Sequence, residues 1–171
     1  MTLLSGFLSG TPFWVYLLFI YLMLRGIKAR KPGEVTLGKL AIVPLIFTIM
    51  GLVEMQRLYG FRLESVSLWL VSLIAGMVIG ARFVKPKALT VDRRRGIIVR
   101  PADFTVLPVM LAAFVSKYAF GVLQATDPGV ATQPWVMVSE IITYGLFAGI
   151  FVGKFSRYIQ AYRAAPEHEA G

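Results

Sequence analysis

The chain lacks cysteine and has a single histidine, His168, close to its C-terminus. Without cysteine it cannot form disulfides, hold a metal through thiolates, attach haem covalently or perform thiol redox chemistry. One histidine near a terminus is a poor ligand set for a metal ion or a haem. We therefore expect no metal site and no cofactor.

Sets of residues typical of catalysis are also missing from the sequence. No histidine lies in an apolar run, no nucleophile has a base at helical spacing, and no phosphate-binding loop is present. The glycines of segment 76–80 lack the preceding strand and the third glycine of a dinucleotide-binding fingerprint. We therefore assign no catalytic residue and predict that the protein is not an enzyme.

Apolar residues dominate what is present. They make up 57% of the 171 residues, against about 45–50% in a typical soluble domain, and the mean hydropathy is +0.69. A spanning helix needs about 20 apolar residues, because the hydrocarbon core of a bilayer is about 30 Å thick. Five segments qualify or nearly qualify, at residues 12–24, 37–53, 66–84, 104–123 and 135–155. The first becomes long enough if Phe7 and Leu8 join it. The sequence predicts an all-α membrane protein, a five-helix transmembrane bundle forming one integral membrane domain over residues 1–171.

The distribution of charge predicts how the bundle is oriented. The net charge is +9, and the basic residues cluster between the apolar runs, as in polytopic membrane proteins. If the five spans alternate, all 18 lysines and arginines except Arg57, Arg62 and Lys117 fall on one side. The positive-inside rule places that side in the cytoplasm, with the N-terminus outside and the C-terminus inside. We expect the basic loops to attract anionic lipids and expect no binding of nucleic acid.

The basic segment between the third and fourth spans differs from the other loops. Residues 89–91 and 97–99 are β-type triplets on either side of a polar turn that ends in Gly96. This pattern predicts a short cytoplasmic β-hairpin in which Gly96 adopts a positive φ. An irregular basic loop is the alternative. Asp103 follows the hairpin and is a good N-cap type for the fourth span.

Charged residues within the spans are the main candidates for a functional site. Lys117 lies in the fourth span, Glu140 in the fifth and Glu54 at the end of the second, all in the outer third of the bilayer. An unpaired ammonium at that depth would cost a few kcal/mol, so we predict that Lys117 pairs with Glu54 or Glu140. Plausible neighbours are Tyr118, Tyr144 and Arg57. The group could bind a ligand or handle protons. It could also be only a clasp that fixes helix register, or Lys117 could snorkel to the surface.

Glycines at four-residue spacing mark a face on each of two spans. Residues without side chains let helices approach closely, as in GxxxG motifs. We predict that the two faces pack together within one chain, and a homodimer seam is the alternative. The glycines concerned are Gly76 and Gly80 in the third span, and Gly145, Gly149 and Gly153 in the fifth.

The sequence also suggests an internal repeat of residues 37–85 and 101–157. Segment 75–80 matches segment 148–153, and the motif around Pro44 resembles the one around Pro108. The two copies would be helical hairpins of the same orientation, related by an axis along the membrane normal. Coincidence is the alternative, since glycine and proline are common in spanning helices. Both prolines are expected to remove a backbone hydrogen bond and kink their span.

Together these features resemble small bacterial inner-membrane proteins of the CcdC-like group and related families of unknown function. The likeness covers most of the chain. It rests on Pro44, the hairpin at 89–100 with the following Pro101-Ala102-Asp103, the Lys117-Tyr118 pair, and the glycine-rich last span ending in Lys154, Arg157 and Tyr162. The resemblance implies a multi-pass protein of the bacterial inner membrane. It also hints at an accessory role connected with cytochrome c biogenesis.

We therefore expect a non-enzymatic accessory or scaffold protein that binds or supports a partner, either a second copy of the chain or another membrane protein. Basic loops and glycine faces would supply the contacts. The alternative is a small transporter or channel with an outward-facing polar site around Lys117, Glu54 and Glu140.

Overall fold

A computed structural model describes residues 13–165 of the chain. Its helices are α1 (Phe13–Ala29), α2 (Leu37–Tyr59), α3 (Leu63–Arg82), α4 (Val106–Thr126), the short α5 (Pro128–Ala131) and α6 (Pro134–Ala164). Its strands are β1 (Gly33–Thr36), β2 (Thr90–Asp92) and β3 (Ile97–Arg100), and a 3₁₀ turn spans Pro86–Ala88.

Four of the described helices, α2, α3, α4 and α6, are long and apolar enough to cross a membrane. Their outward side chains are largely apolar; Leu45 and Val115, for example, are 57% and 65% exposed. Such surfaces fit a lipid environment better than water. The predicted count of five spans is not confirmed, because α1 has 17 residues as described. Phe7 and Leu8, which were expected to lengthen the first span, lie outside the described residues.

The strands form one antiparallel sheet at one end of the bundle, in the order β1-β3-β2. The predicted hairpin is confirmed, with Gly96 at φ 62° in its turn. Strand β1 was not predicted; it pairs Val35 with Ile98 of β3. Ile98 is fully buried in a small core with Val84 and Tyr158. The sheet therefore fastens the α1–α2 connection to the α3–α4 connection, and we call this side of the molecule the sheet end.

The glycine faces of α3 and α6 pack against each other within the chain, as predicted. A Cβ atom added to Gly149 would lie 3.0 Å from Gly76 Cα and would overlap Leu73 O. One added to Gly145 would lie 2.6 Å from Trp69 O. Backbones this close leave no room for side chains, and all five predicted glycines are buried. They are therefore not available to form a seam between two copies.

The two prolines differ in effect. Pro44 lies inside α2, but Pro108 is the third residue of α4. An N–H in the first turn of a helix has no intrahelical partner, so the hydrogen bond expected to be lost at Pro108 does not exist. Gly76 and Gly149, which occupy matching positions in the two segments of the suggested internal repeat, face each other, but this contact does not test the repeat. The repeat itself stays a prediction.

Candidate functional site

At the end of the bundle opposite the sheet, Lys117 of α4 contacts Glu54 of α2. Lys117 Nζ lies 2.5 Å from Glu54 Oε1, and Arg57 Nη2 lies 2.8 Å from the other oxygen, Oε2. The structure therefore forms the ion pair predicted for Lys117, with Glu54 and not with Glu140. One carboxylate holds two cations, and the contact ties α2 to α4.

Glu140 lies in the same region but has a different set of partners. Its residue is 1% exposed, and its carboxyl group accepts hydrogen bonds from Tyr59 Oη at 2.5 Å and Tyr144 Oη at 2.7 Å. Gln124 Nε2 lies 3.2 Å from each carboxyl oxygen. All of these donors are neutral. Among residues 13–165, no lysine or arginine forms an ion pair with Glu140. The hydrogen bonds link α6 to the last turns of α2 and α4.

The two tyrosines predicted beside Lys117 lie in different surroundings. Tyr144 donates to Glu140 and has its ring centroid 5.7 Å from Lys117 Nζ. Tyr118 is 56% exposed, because one residue along a helix turns the side chain by about 100°. Sequence reasoning missed Tyr59 and Gln124. The only available signal was that both are polar residues near the ends of apolar helices.

A narrow cleft reaches this outer cluster, by which we mean Glu54, Arg57, Tyr59, Lys117, Gln124, Glu140 and Tyr144. The cleft has a volume of about 30 Å³ and is lined mostly by apolar side chains such as Phe47 and Phe114. A cavity of about 10–15 Å³ is enough for one water, so the cleft has room for about two waters. The cluster can fix helix register and can hold water or a proton, but it is too confined for a larger ligand without rearrangement.

A second ion pair, which the sequence did not predict, lies at the sheet end. Lys154 Nζ of α6 is 2.6 Å from Asp103 Oδ2 and 2.5 Å from Thr105 Oγ1. The side chains of Lys154 and Asp103 are 5% and 11% exposed, so this pair is more buried than Lys117–Glu54. The sequence places Lys154 at the end of the last span, among the cations of the cytoplasmic side. Helix α6 continues to Ala164, which places Lys154 inside the bundle.

The predicted N-cap role of Asp103 is wrong in detail. Helix α4 begins at Val106 with Thr105 in the cap position. Asp103 Oδ1 accepts hydrogen bonds from Thr105 N at 3.0 Å and Thr105 Oγ1 at 2.6 Å. Burial raises the pKa of Asp103, but the Lys154 ammonium and the Thr105 donors more than offset this and hold the pKa below its ordinary value. The carboxyl group is therefore ionised at neutral pH and its charge compensates that of Lys154.

A layer of aromatic rings lies between the outer cluster and the Lys154–Asp103 ion pair. The rings of Phe47 and Phe151 stack with centroids 4.6 Å apart, and Phe114 meets Phe47 edge to face at 6.5 Å. Phe47 lines the cleft at the outer cluster, and Phe151 lines a second cleft at the sheet end. The two polar regions are thus separated by apolar rings.

We predict that Lys117→Met lowers the free energy of unfolding by only about 1 kcal/mol. The pair is partly exposed, and Arg57 remains bound to Glu54, so the carboxylate keeps a cation. Chemical unfolding in detergent, followed by circular dichroism, measures the change. Arg62→Met, which removes an exposed cation from the same end, is the matched control and should be neutral. A loss above about 3 kcal/mol would mean that Lys117 is the sole counter-charge of Glu54.

Comparison of the chain with protein-family models, with curated proteins and with solved structures finds no match. The resemblance to CcdC-like proteins therefore stays a prediction.

Proposed function

We propose that the protein is a non-enzymatic accessory protein of the bacterial inner membrane that binds or supports a partner. In this proposal five spans place the N-terminus in the periplasm and the C-terminus in the cytoplasm, with the sheet end on the cytoplasmic side. The concentration of arginine and lysine in the sheet-end connections supports this orientation.

The observation that carries the proposal is that both lysines inside the bundle are neutralised by carboxylates of the same chain. Lys117 pairs with Glu54 and Lys154 with Asp103. Ionisable groups inside membrane proteins usually mark a pathway when they face water, and otherwise pair with each other. Here the pairs clasp helices together on either side of the phenylalanine layer. That arrangement favours a fixed scaffold over a conducting or catalytic one.

Such a scaffold presents two surfaces to a partner. One is the basic sheet end, and the other is the apolar outer face of the helices. On α2 this face includes Leu45, Ile49 and Val53 at four-residue spacing, each more than half exposed. In the membrane this ridge is covered either by lipid or by another protein.

Site-specific photo-crosslinking tests the proposal in native membranes. A photoreactive amino acid at Ile49 is expected to give one crosslinked protein species of reproducible mass, which mass spectrometry identifies. The same group at Met55, which lies on the same helix and is 1% exposed, is the matched control and should crosslink only within the chain. Repeating the experiment at Leu45 and Val53 should yield the same partner. Crosslinks to lipid alone at all three ridge positions would contradict the proposal.

A second candidate is a small transporter or channel that uses the polar site around Lys117, Glu54 and Glu140. The observation in its favour is that a cleft reaches Lys117 from one side while another opens at the sheet end, with Phe47 and Phe151 between them. Proton flux into proteoliposomes, reported by an enclosed pH-sensitive dye, tests it. Transport predicts flux above that of empty liposomes, and a larger flux for Phe151→Ala. Equal signals from the protein, the variant and empty liposomes would exclude proton conduction.

A further inference from the structure

The cleft at the sheet end differs in chemistry from the one at the outer cluster. Its volume is about 80 Å³, enough for several waters. Among residues 13–165, four basic side chains and one acidic side chain, that of Asp103, line it. The basic residues are Arg25, Lys39, Arg100 and Lys154. They come from α1, α2, β3 and α6, so the whole fold brings them together.

The carboxylate of Asp103 carries one negative charge against the four cations of the cleft, and it is already engaged by other groups. Its Oδ2 is bound by Lys154 and its Oδ1 by Thr105. Arg100 is held by carbonyl groups at the end of α1, with Nη1 2.9 Å from Ala29 O. Positive charge is therefore in excess, and an anion in the cleft would compensate it.

Arg25 supplies a donor that has no partner among the described residues. Its Nη2 donates to the carbonyl oxygen of Lys39, but its Nε is buried and forms no hydrogen bond with residues 13–165. A buried N–H without an acceptor costs about 1–3 kcal/mol. Guanidinium groups bind phosphate oxygens well because their donors lie in a planar fork. Arg25 lines the cleft, so an anionic oxygen there would bind its guanidinium group, and it would satisfy Nε once a rotation of the side chain exposes that donor.

The apolar part of the cleft indicates what kind of molecule carries the anion. Below the cations the walls are formed by Val43, Pro44, Val106, Met110 and Phe151. The cations themselves lie where helices α1 and α2 meet the sheet, which is the depth of lipid headgroups if the helices span the membrane. A free inorganic anion would gain nothing from the apolar walls, whereas an acyl chain would be buried against them. Basic pockets between helices on the cytoplasmic side are a known mode of headgroup recognition.

We propose that the sheet-end cleft is a binding site for one anionic glycerophospholipid, with its phosphate at Arg25 and the start of an acyl chain against Val43 and Met110. This inference is independent of the accessory role. It requires only that the chain lies in a membrane. It differs from general attraction of anionic lipid to basic loops because it assigns one lipid to one place.

Native mass spectrometry of the full chain, purified in a neutral detergent and stripped of lipid, tests the proposal. We expect one phosphatidylglycerol to bind per chain, at least about tenfold more tightly than phosphatidylcholine of the same chain length. Inorganic phosphate and glycerophosphoglycerol, which lack acyl chains, should fail to displace it at millimolar concentration. Equal binding of the two lipids would overturn the proposal. Displacement by inorganic phosphate would assign the site to a free anion instead and would equally overturn it.

Variants locate the site. Arg25→Gln should weaken phosphatidylglycerol binding about tenfold, and Arg25→Lys should recover part of the loss because it restores the charge but not the fork. Arg94→Gln removes the same charge from an exposed position of the hairpin turn outside the cleft, and should leave the affinity unchanged. Melting temperatures show which variants remain folded. If Arg25→Gln does not fold, Lys39→Gln, at an exposed position of the cleft, takes its place. If the cleft variants and the Arg94 variant weaken phosphatidylglycerol binding equally, the binding is non-specific electrostatic attraction and the proposed site is wrong.

Discussion

Replacing Gly149 with alanine should destabilise the protein by about 3 kcal/mol, although alanine is normally the better helix former. A Cβ atom at this position meets backbone atoms of α3, and backbone cannot move aside like a flexible side chain. The two helices would have to separate, which would open their contact along the whole seam. Overpacking of this kind typically costs 1–3 kcal/mol and occasionally more.

The matched control for this prediction is Gly121→Ala in α4. Nothing lies within 4 Å of a Cβ atom added to Gly121, so the substitution should stabilise the protein by about 0.5–1 kcal/mol through helix propensity. Unfolding in detergent measures both variants. If Gly149→Ala is as stable as wild type while Gly121→Ala behaves as expected, the close contact of α3 and α6 is wrong.

Breaking the buried ion pair at the sheet end should have the largest effect of any polar substitution. Asp103→Asn leaves the Lys154 ammonium buried without a counter-charge, and removing one partner of a buried pair typically costs 3–5 kcal/mol. Glu54→Gln should cost less, because Lys117 and Arg57 are more exposed and can reach water. Adding Lys154→Met to Asp103→Asn should recover much of the loss. If the double variant is as unstable as Asp103→Asn, the buried charge is not the cause.

The same pair gives the stability a dependence on pH. Because the folded-state pKa of Asp103 lies below its ordinary value, its contribution is complete at neutral pH. It is lost as the pH falls below about 4 and through the folded pKa. Wild type should therefore lose more stability between pH 5 and pH 3 than the double variant Asp103→Asn/Lys154→Met. If the free energy of unfolding falls equally with pH in the two proteins, the lowered pKa of Asp103 is contradicted.

The sequence predicts the glycine faces and the Lys117 ion pair because each produces a pattern within a single helix. The glycine spacing in α3 and α6 repeats every turn, so it identifies a helix face directly. Lys117 was conspicuous as a lysine in an apolar run, and few carboxylates were close enough in depth to pair with it. Its partner could be limited to Glu54 or Glu140, but choosing between them required the rotation of α2 and α6 about their axes.

What the sequence did not reveal depends on contacts between distant segments. Lys154 stands among other basic residues just where hydropathy falls, so it resembles a cytoplasmic surface lysine. Only the continuation of α6 and the approach of the segment before α4 bury it against Asp103. Strand β1 is four residues long and is followed directly by α2, and its pairing with β3 has no signal in its own sequence. Tyr59 and Gln124 were missed for the same reason, since their common partner Glu140 lies on a third helix.

The absence of cysteine allows one labelling experiment to test the transmembrane arrangement directly. Single substitutions Arg62→Cys, between α2 and α3, and Arg94→Cys, in the hairpin turn, are exposed in the structure and lie at opposite ends of the bundle. In intact spheroplasts a membrane-impermeant maleimide should label Arg62→Cys at once, and should label Arg94→Cys only after the membrane is permeabilised. Labelling of both positions from outside, or of Arg94→Cys alone, would contradict a bundle that crosses the membrane with its sheet in the cytoplasm.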